Sequence, residues 1–186
     1  MTGDLIANLY IKDIWSTNRQ NNVHPLFPSD KERLMGFMDT FFPDQRGWKM
    51  EIERGIYNNT VLVVDEDSKI KGFACYDCTA KGYFGPMGVV PDCRGRHMGR
   101  DLMYAAFDLM KAAGYGYAII GWVSDHIDKL PYGWTREAVD FYRKNAMAMY
   151  IPMSDPHYTL YKNKVNMTDE HIGGYGELET FRNKKD

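Results

Sequence analysis

The apolar positions of this chain fall into blocks of two kinds, one with helical spacing and one made of short continuous runs. Leu34, Phe37, Met38 and Phe41 recur every three to four residues behind Ser29 and Asp30, either of which suits a helix N-cap, and Pro43 stops the pattern. Trp48, Ile52 and Ile56, with Glu and Arg between them, predict a second amphipathic helix ending near Asn58 and Asn59. The longest helical pattern lies further on. Met98, Leu102, Ala105, Leu109 and Ala113 form one stripe, flanked by Met103, Phe107 and Met110, and Gly114 follows as a C-cap. A face that broad belongs to a helix packed on a sheet. A shorter helix is predicted from Thr135, with Ala138, Phe141 and Tyr142 on its inner face.

The short runs predict strands. Val61–Val64 is a buried strand by length and β-branching, the Asp65–Ser68 segment a turn, and Ile70–Tyr76 the returning partner. Tyr83–Val90 continues the sheet and ends at Pro91-Asp92. Tyr117–Trp122 is apolar on both faces, as a central strand is. Leu5–Ile11 gives a weaker strand pattern, and Met147–Ile151 with Tyr158–Tyr161 reads as a closing hairpin. The segment from Asn18 to Pro28, rich in Asn and holding two prolines, reads as a loop, and a polar stretch runs from Val123 to Trp134.

Composition narrows the picture in a few places. With 186 residues, the chain has the size of one domain with a substantial core. No apolar run approaches the ~18 residues a membrane-spanning helix needs. Met1-Thr2-Gly3-Asp4 carries no basic stretch leading into an apolar one, so a cytoplasmic location is expected. A formal net charge of -2 offers no general attraction for nucleic acid or a membrane surface, so affinity for phosphate must arise from a local cluster. The three cysteines do not form a disulfide framework. Cys75-x-x-Cys78 lies at the end of a strand, where residues three apart face opposite sides, and this speaks against a shared metal.

One local cluster stands out. The strand Met87-Gly88-Val89 runs through Val90-Pro91 into Arg94-Gly95-Arg96-His97-Met98-Gly99-Arg100, which opens the long helix. The first N–H groups of a helix have no partner within it and sit at the positive end of its dipole, which makes a ready anion site. Three arginines and a histidine add positive charge within seven residues. A diphosphate suits such a site; a solvated basic turn is the plainer reading of the same residues. The chain contains neither G-x-x-x-x-G-K-[S/T] nor a G-x-G-x-x-G after its first strand.

This stretch resembles the signature of the GNAT superfamily of acyl-CoA-dependent N-acyltransferases, in which a strand ending L-x-V-x-P is followed by [Q/R]-x-x-G-x-[G/A] and an apolar helix. His97 stands where the motif's first glycine usually falls. A second stretch, Ala138-Val139-Asp140-Phe141-Tyr142-Arg143-Lys144, is similar to the family's A-x-x-F-Y-x-K helix, with Ala146-Met147 replacing the usual Gly-Phe. The resemblance implies an α/β (α+β) fold: a central mixed, mostly antiparallel sheet of about six to seven strands flanked by about four helices. It implies acetyl-CoA as donor, its diphosphate held by Arg94, Gly95, Arg96, His97, Met98, Gly99 and Arg100, and its pantetheine arm by the backbone of Met87, Gly88 and Val89. Tyr142 matches the tyrosine proposed as general acid to the CoA sulfur.

The expected organisation is a single acyltransferase domain over 1–162 with a polar extension over 163–186. The expected reaction is direct attack by a primary amine of a small molecule, with a homodimer plausible. A non-catalytic CoA- or nucleotide-binding sensor and a protein or peptide N-acetyltransferase are the alternatives. Asp77, Tyr83, Asp125, His126 and Asp128 are polar groups available as general base, with none singled out. The Val123–Trp134 stretch is the expected wall of the acceptor pocket.

Overall fold

The computed structural model describes residues 2–10, 19–124 and 136–151. The strands are β1 (Thr2–Asn8), β2 (Val23–Pro25), β3 (Val61–Glu66), β4 (Lys69–Tyr76), β5 (Phe84–Val89), β6 (Tyr117–Ser124) and β7 (Met149–Ile151). The helices are α1 (Lys31–Phe41), α2 (Arg46–Asn58), α3 (Met98–Ala112) and α4 (Arg136–Ala146), with 3-10 turns at Pro28–Asp30 and Pro91–Cys93. The fold is mixed α+β. Its strands form two antiparallel sheets instead of one continuous sheet, in the orders β2-β3-β4-β5 and β6-β1-β7.

Local chemistry accounts for most boundaries. Asn59 ends α2 in the left-handed region at φ 57°, a conformation asparagine tolerates better than most residues. Asp67 and Ser68 both take positive φ, which makes the tight β3–β4 hairpin. The α3 stripe buries Met98, Leu102, Met103, Ala105, Ala106, Phe107 and Met110, whereas Leu109 is exposed and Asp101 is buried in its stead. Rings of Phe37, Phe42, Trp48 and Phe73 meet at centroid distances of 5.7–6.2 Å, which ties α1 and α2 to β4. Phe41, expected on the same stripe, is exposed.

Two expectations need correction, and a third falls partly outside the described residues. The segment read as a loop, 18–28, contains β2, a three-residue strand paired with Leu62–Val64; its proline and its brevity hide it from any periodicity. β7 pairs with β1, with Ile6 opposite Met149 and Asp4 opposite Ile151. The Tyr158–Tyr161 partner expected for it lies outside the described residues, as does 163–186. β1 covers Thr2–Asn8, not Leu5–Ile11, and lies between β6 and β7 as the middle strand of its sheet.

The two sheets meet at one point. Tyr83 and Ile119 form an isolated parallel bridge, and the Ile119 N–H donates to Gly82 C=O at 2.8 Å. Asp77, at φ 58° and 9 % exposed, holds that point together. Its carboxylate accepts from Gly82 N–H at 2.7 Å, from Tyr115 hydroxyl at 2.9 Å and from Lys81 Nζ at 3.1 Å. Beyond the bridge, no ladder joins β5 to β6 among the described residues; the gap between their C-terminal halves is the cleft.

Replacing Asp77 with alanine strands a buried amide and a hydroxyl, each of which had a charged acceptor. The expected loss in urea unfolding is about 2 kcal/mol or more. A loss below ~0.5 kcal/mol would show that the join does not depend on this carboxylate.

Candidate active site

The floor of the cleft is β5, and its course is irregular. Ala74 of β4 faces Met87 while Tyr76 faces Phe84, so three steps of β5 match two of β4 across a bulge at Gly85-Pro86, whose peptide bond is cis. A bulge leaves backbone groups outside the ladder. It also changes which face the side chains take. Phe84 lies against Phe107 and Tyr142, and Gly88 turns to the opposite side, against Phe42 and Phe73. A Cβ on Gly88 would stand 2.7 Å from Phe42 Cζ, so only glycine fits there. Met87 and Val89 face α3, where both lie in contact range of the Gly99 position together with Phe141.

From Val90 the chain passes through the 3-10 turn into the 94–97 loop. Val90 N–H donates to Lys71 C=O at 2.9 Å, fixing the loop's first end on β4. Gly95 takes φ 78° and His97 takes φ 63°. The second value explains why the motif prefers glycine where His97 stands: an L-residue in the left-handed region costs about 1 kcal/mol. The first bond of the helical ladder runs from Asp101 N–H to His97 C=O at 3.0 Å. The N–H groups of Met98 and Gly99 therefore stand ahead of that ladder, at the positive end of the fifteen-residue α3.

The arginines have diverged in role. Arg96 is paired through both terminal nitrogens with Glu66, at the end of β3, which holds the Glu66 carboxyl below its usual range. Such a surface pair adds little stability. Its effect is to pin the loop. Arg100 lies over the Tyr104 ring at 5.9 Å and donates to Asp101 at 3.1–3.2 Å. Arg94 is exposed and makes no ion pair among the described residues. Met98 is 2 % exposed, so it can offer a ligand its N–H but not its side chain.

Tyr142 projects from α4 into the wall beside β5. It is 5 % exposed, edge-on to Phe84 at 6.2 Å and to Phe141 at 5.3 Å. Burial raises its pKa well above the ordinary phenol range, so it is protonated at neutral pH. Tyr104 hydroxyl donates to Asn145 C=O at 3.1 Å and holds the end of α4 on α3. The cleft floor, the loop and the Tyr142 helix thus converge around Gly99.

Among the residues named as general base, Asp77 is engaged in the strand join and Tyr83 is buried beside it. Asp125, His126 and Asp128 lie outside the described residues, as does most of the expected acceptor wall, of which Val123 and Ser124 belong to β6. The Cys75 and Cys78 thiols, expected on opposite faces, lie close enough to influence each other's ionisation, the positive φ of Asp77 turning the chain between them; the Cys78 thiol donates to Tyr76 C=O at 3.2 Å. Burial pushes the Cys75 thiol far above its usual range.

Sequence reasoning missed Asp101, whose side chain is fully buried in the first turn of α3. Although burial by itself disfavours its charge, hydrogen bonds from Asn21, Gln20 and Arg100 hold its carboxyl below the usual range. A signal was present, since an aspartate at 101 falls between Met98, Leu102 and Ala105 on an otherwise apolar stripe.

The comparisons with known proteins agree with this geometry. A sequence model of the family described as "Acetyltransferase (GNAT) domain" matches residues 57–145, from the end of α2 through nearly all of α4. Curated protein sequences gave no match. Among solved structures, an acetyltransferase from the GNAT family of Colwellia psychrerythraea superposes with a TM-score of 0.59 at 9% identity, covering 81% of this chain and 53% of that one. A GCN5-related N-acetyltransferase from Sphaerobacter thermophilus gives 0.58 at 16% identity, over 81% and 48%. A GCN5-related glucosamine N-acetyltransferase region in a fungal multi-domain β-N-acetylglucosaminidase gives 0.58 at 18%, over 81% and 20%. The chain spans about half or less of the length of these structures. The fold is like that of these GNAT acetyltransferase structures, and the GNAT family model matches 57–145, a little under half of the chain. The acyl donor of that family is acetyl-CoA.

Two outcomes follow from the loop. His97→Gly removes the left-handed strain and raises stability by about 0.5–1 kcal/mol in urea unfolding, while His97→Ala gives no such gain. Asp101 has a depressed pKa in the folded state, so its contribution is present above the unfolded carboxyl pKa of ~3.9 and is lost as pH falls through the folded value. Asp101→Asn is therefore less stable than the parent at pH 7, and the gap narrows in acid. A constant gap down to the acid transition would remove Asp101 as the cause.

Proposed function

We propose that the protein transfers the acetyl group of acetyl-CoA to a primary amine of a small molecule, by direct attack within a ternary complex. The observation that carries this reading is the placement of the amides of Met98 and Gly99, ahead of the α3 ladder, beside the cleft where β5 and β6 part. The residues fit the donor. Gly95 and the His97–Gly99 amides offer close backbone approach and a helix dipole to the diphosphate, with Arg94 as the exposed cation. The side chains of Arg96 and Arg100 serve by holding the loop in shape. Met87, Gly88 and Val89 offer the free edge of β5 to the pantetheine amides, as an added strand does in β-augmentation.

Acetyl-CoA supplies the activated acetyl group. The remaining work falls to the chain. A backbone N–H near Met87 stabilises charge on the thioester carbonyl oxygen, and the protonated Tyr142 hydroxyl donates to the departing sulfur. In this reading residues 1–162 act as one domain in the cytoplasm, with 163–186 as an extension. The amine acceptor enters from the side of the Val123–Trp134 stretch.

The test is incubation with acetyl-CoA and a panel of primary amines, following free thiol and the acetylated product by mass spectrometry. The parent protein is expected to turn over at least one amine. Tyr142→Phe is expected to lower kcat tenfold or more, with KM for acetyl-CoA changed little. CoA binding without turnover across a broad panel would instead mark a sensor. Unchanged kcat in Tyr142→Phe would remove the tyrosine from the mechanism.

A further inference from the structure

A short segment from the far N-terminal side of the chain is fastened to the loop just described. Arg19 Nη2 pairs with Asp108 Oδ2 of α3 at 3.2 Å. The backbone N–H groups of the next two residues, Gln20 and Asn21, donate to Asp101 Oδ2 at 2.8 and 2.9 Å. The Asn21 side-chain nitrogen donates to the same oxygen at 2.8 Å and to Arg96 C=O at 3.1 Å. The other Asp101 oxygen accepts from Arg100. Immediately afterwards the chain enters β2, which is itself paired to β3. The segment is therefore held at both ends.

Resting on the acetyl-CoA reading above, we infer that Asn21 and Asp101 are positioning residues that keep the 95–99 turn in its anion-accepting form. An amide NH2 carries two donors, and Asn21 uses one on the loop and one on the helix. Arg96 C=O and His97 N–H belong to one trans peptide plane and point opposite ways. Drawing the carbonyl toward Asn21 therefore turns the His97 N–H away from the 19–22 segment, outward from the protein. His97 needs such a hold more than most residues. It sits at φ 63°, where an L-residue is strained, and without an outside tether the turn would relax toward φ below zero and swing this amide round. Asp101 supplies the fixed point. Its carboxylate is buried, charged and saturated by donors, so the asparagine has one geometry in which to lie. Neither residue touches the ligand in this account. The amides bind; Asn21 and Asp101 aim them.

The experiment compares the parent protein with Asn21→Ala by calorimetry with CoA, and by ligand-observed NMR with pantetheine, which lacks the diphosphate. The expected result is a Kd for CoA raised about tenfold, equivalent to ~1.4 kcal/mol, with the pantetheine affinity changed by less than twofold. A general loss of structure would weaken both ligands together, and that outcome overturns the inference, as does an unchanged CoA affinity in the variant. A second measurement needs no substitution. Hydrogen exchange on the parent protein, with and without CoA, is expected to show the amides of Gln20 and Asn21 slowed along with those of 97–99. Slowing confined to 97–99 contradicts the coupling. If the parent itself binds no CoA, the acetyltransferase reading fails first; if it binds and Asn21→Ala binds equally well, only the positioning role fails.

Discussion

The geometry around the head of α3 follows from β5 and β6 being joined at one parallel bridge. β5 and β6 meet through Tyr83 and Ile119 and then diverge, each keeping an unpaired backbone edge along the cleft. In most sheets such edges are a hazard, because they attract foreign strands. In the proposed function a ligand with amide groups of its own meets them. Asp77 makes this possible by fastening the diverging strands at their base without closing them further up. One buried carboxylate, accepting from an amide, a phenol and an ammonium, sets where the sheet stops being a sheet.

The 94–100 loop shows a division of labour between main chain and side chain. Four basic residues between Arg94 and Arg100 suggest a cationic grip, yet two of the three arginines are occupied within the protein, by Glu66 and by Asp101. In the proposed function, what remains for an anion is chiefly the peptide groups at the head of α3. The loop that carries them makes contacts reaching back to β3, β4 and the segment before β2. A site of this kind depends less on charge than on the geometry of a few amides, and a peptide plane that turns by half a circle abolishes it.

The sequence made the elements of the domain legible where periodicity was long or motifs were local. The α3 stripe, the β3–β4 hairpin and the strand-loop-helix run from Met87 to Arg100 depend on neighbours within a few positions. Contacts between distant segments left no trace in local pattern. Glu66 is thirty residues from Arg96, and Asn21 is eighty from Asp101. The cysteine pair was misread for a related reason: an alternation rule assumes that the strand continues, and the positive φ of Asp77 ends it between the two thiols. β2 was invisible because three residues with a proline carry no rhythm, and they are a strand only because β3 lies alongside.

The position of β1 carries a consequence for how the chain reaches this state. It is the middle strand of its sheet, and its partners on β6 lie more than a hundred residues further along. Such pairing closes a long loop before any hydrogen bond repays the lost freedom, so it belongs to the slow, late part of assembly. During synthesis β1 waits unpaired until β6 emerges, exposing Leu5 and Ala7, which end up fully enclosed. The half-built domain passes through its most adhesive period with its future middle strand still unpaired.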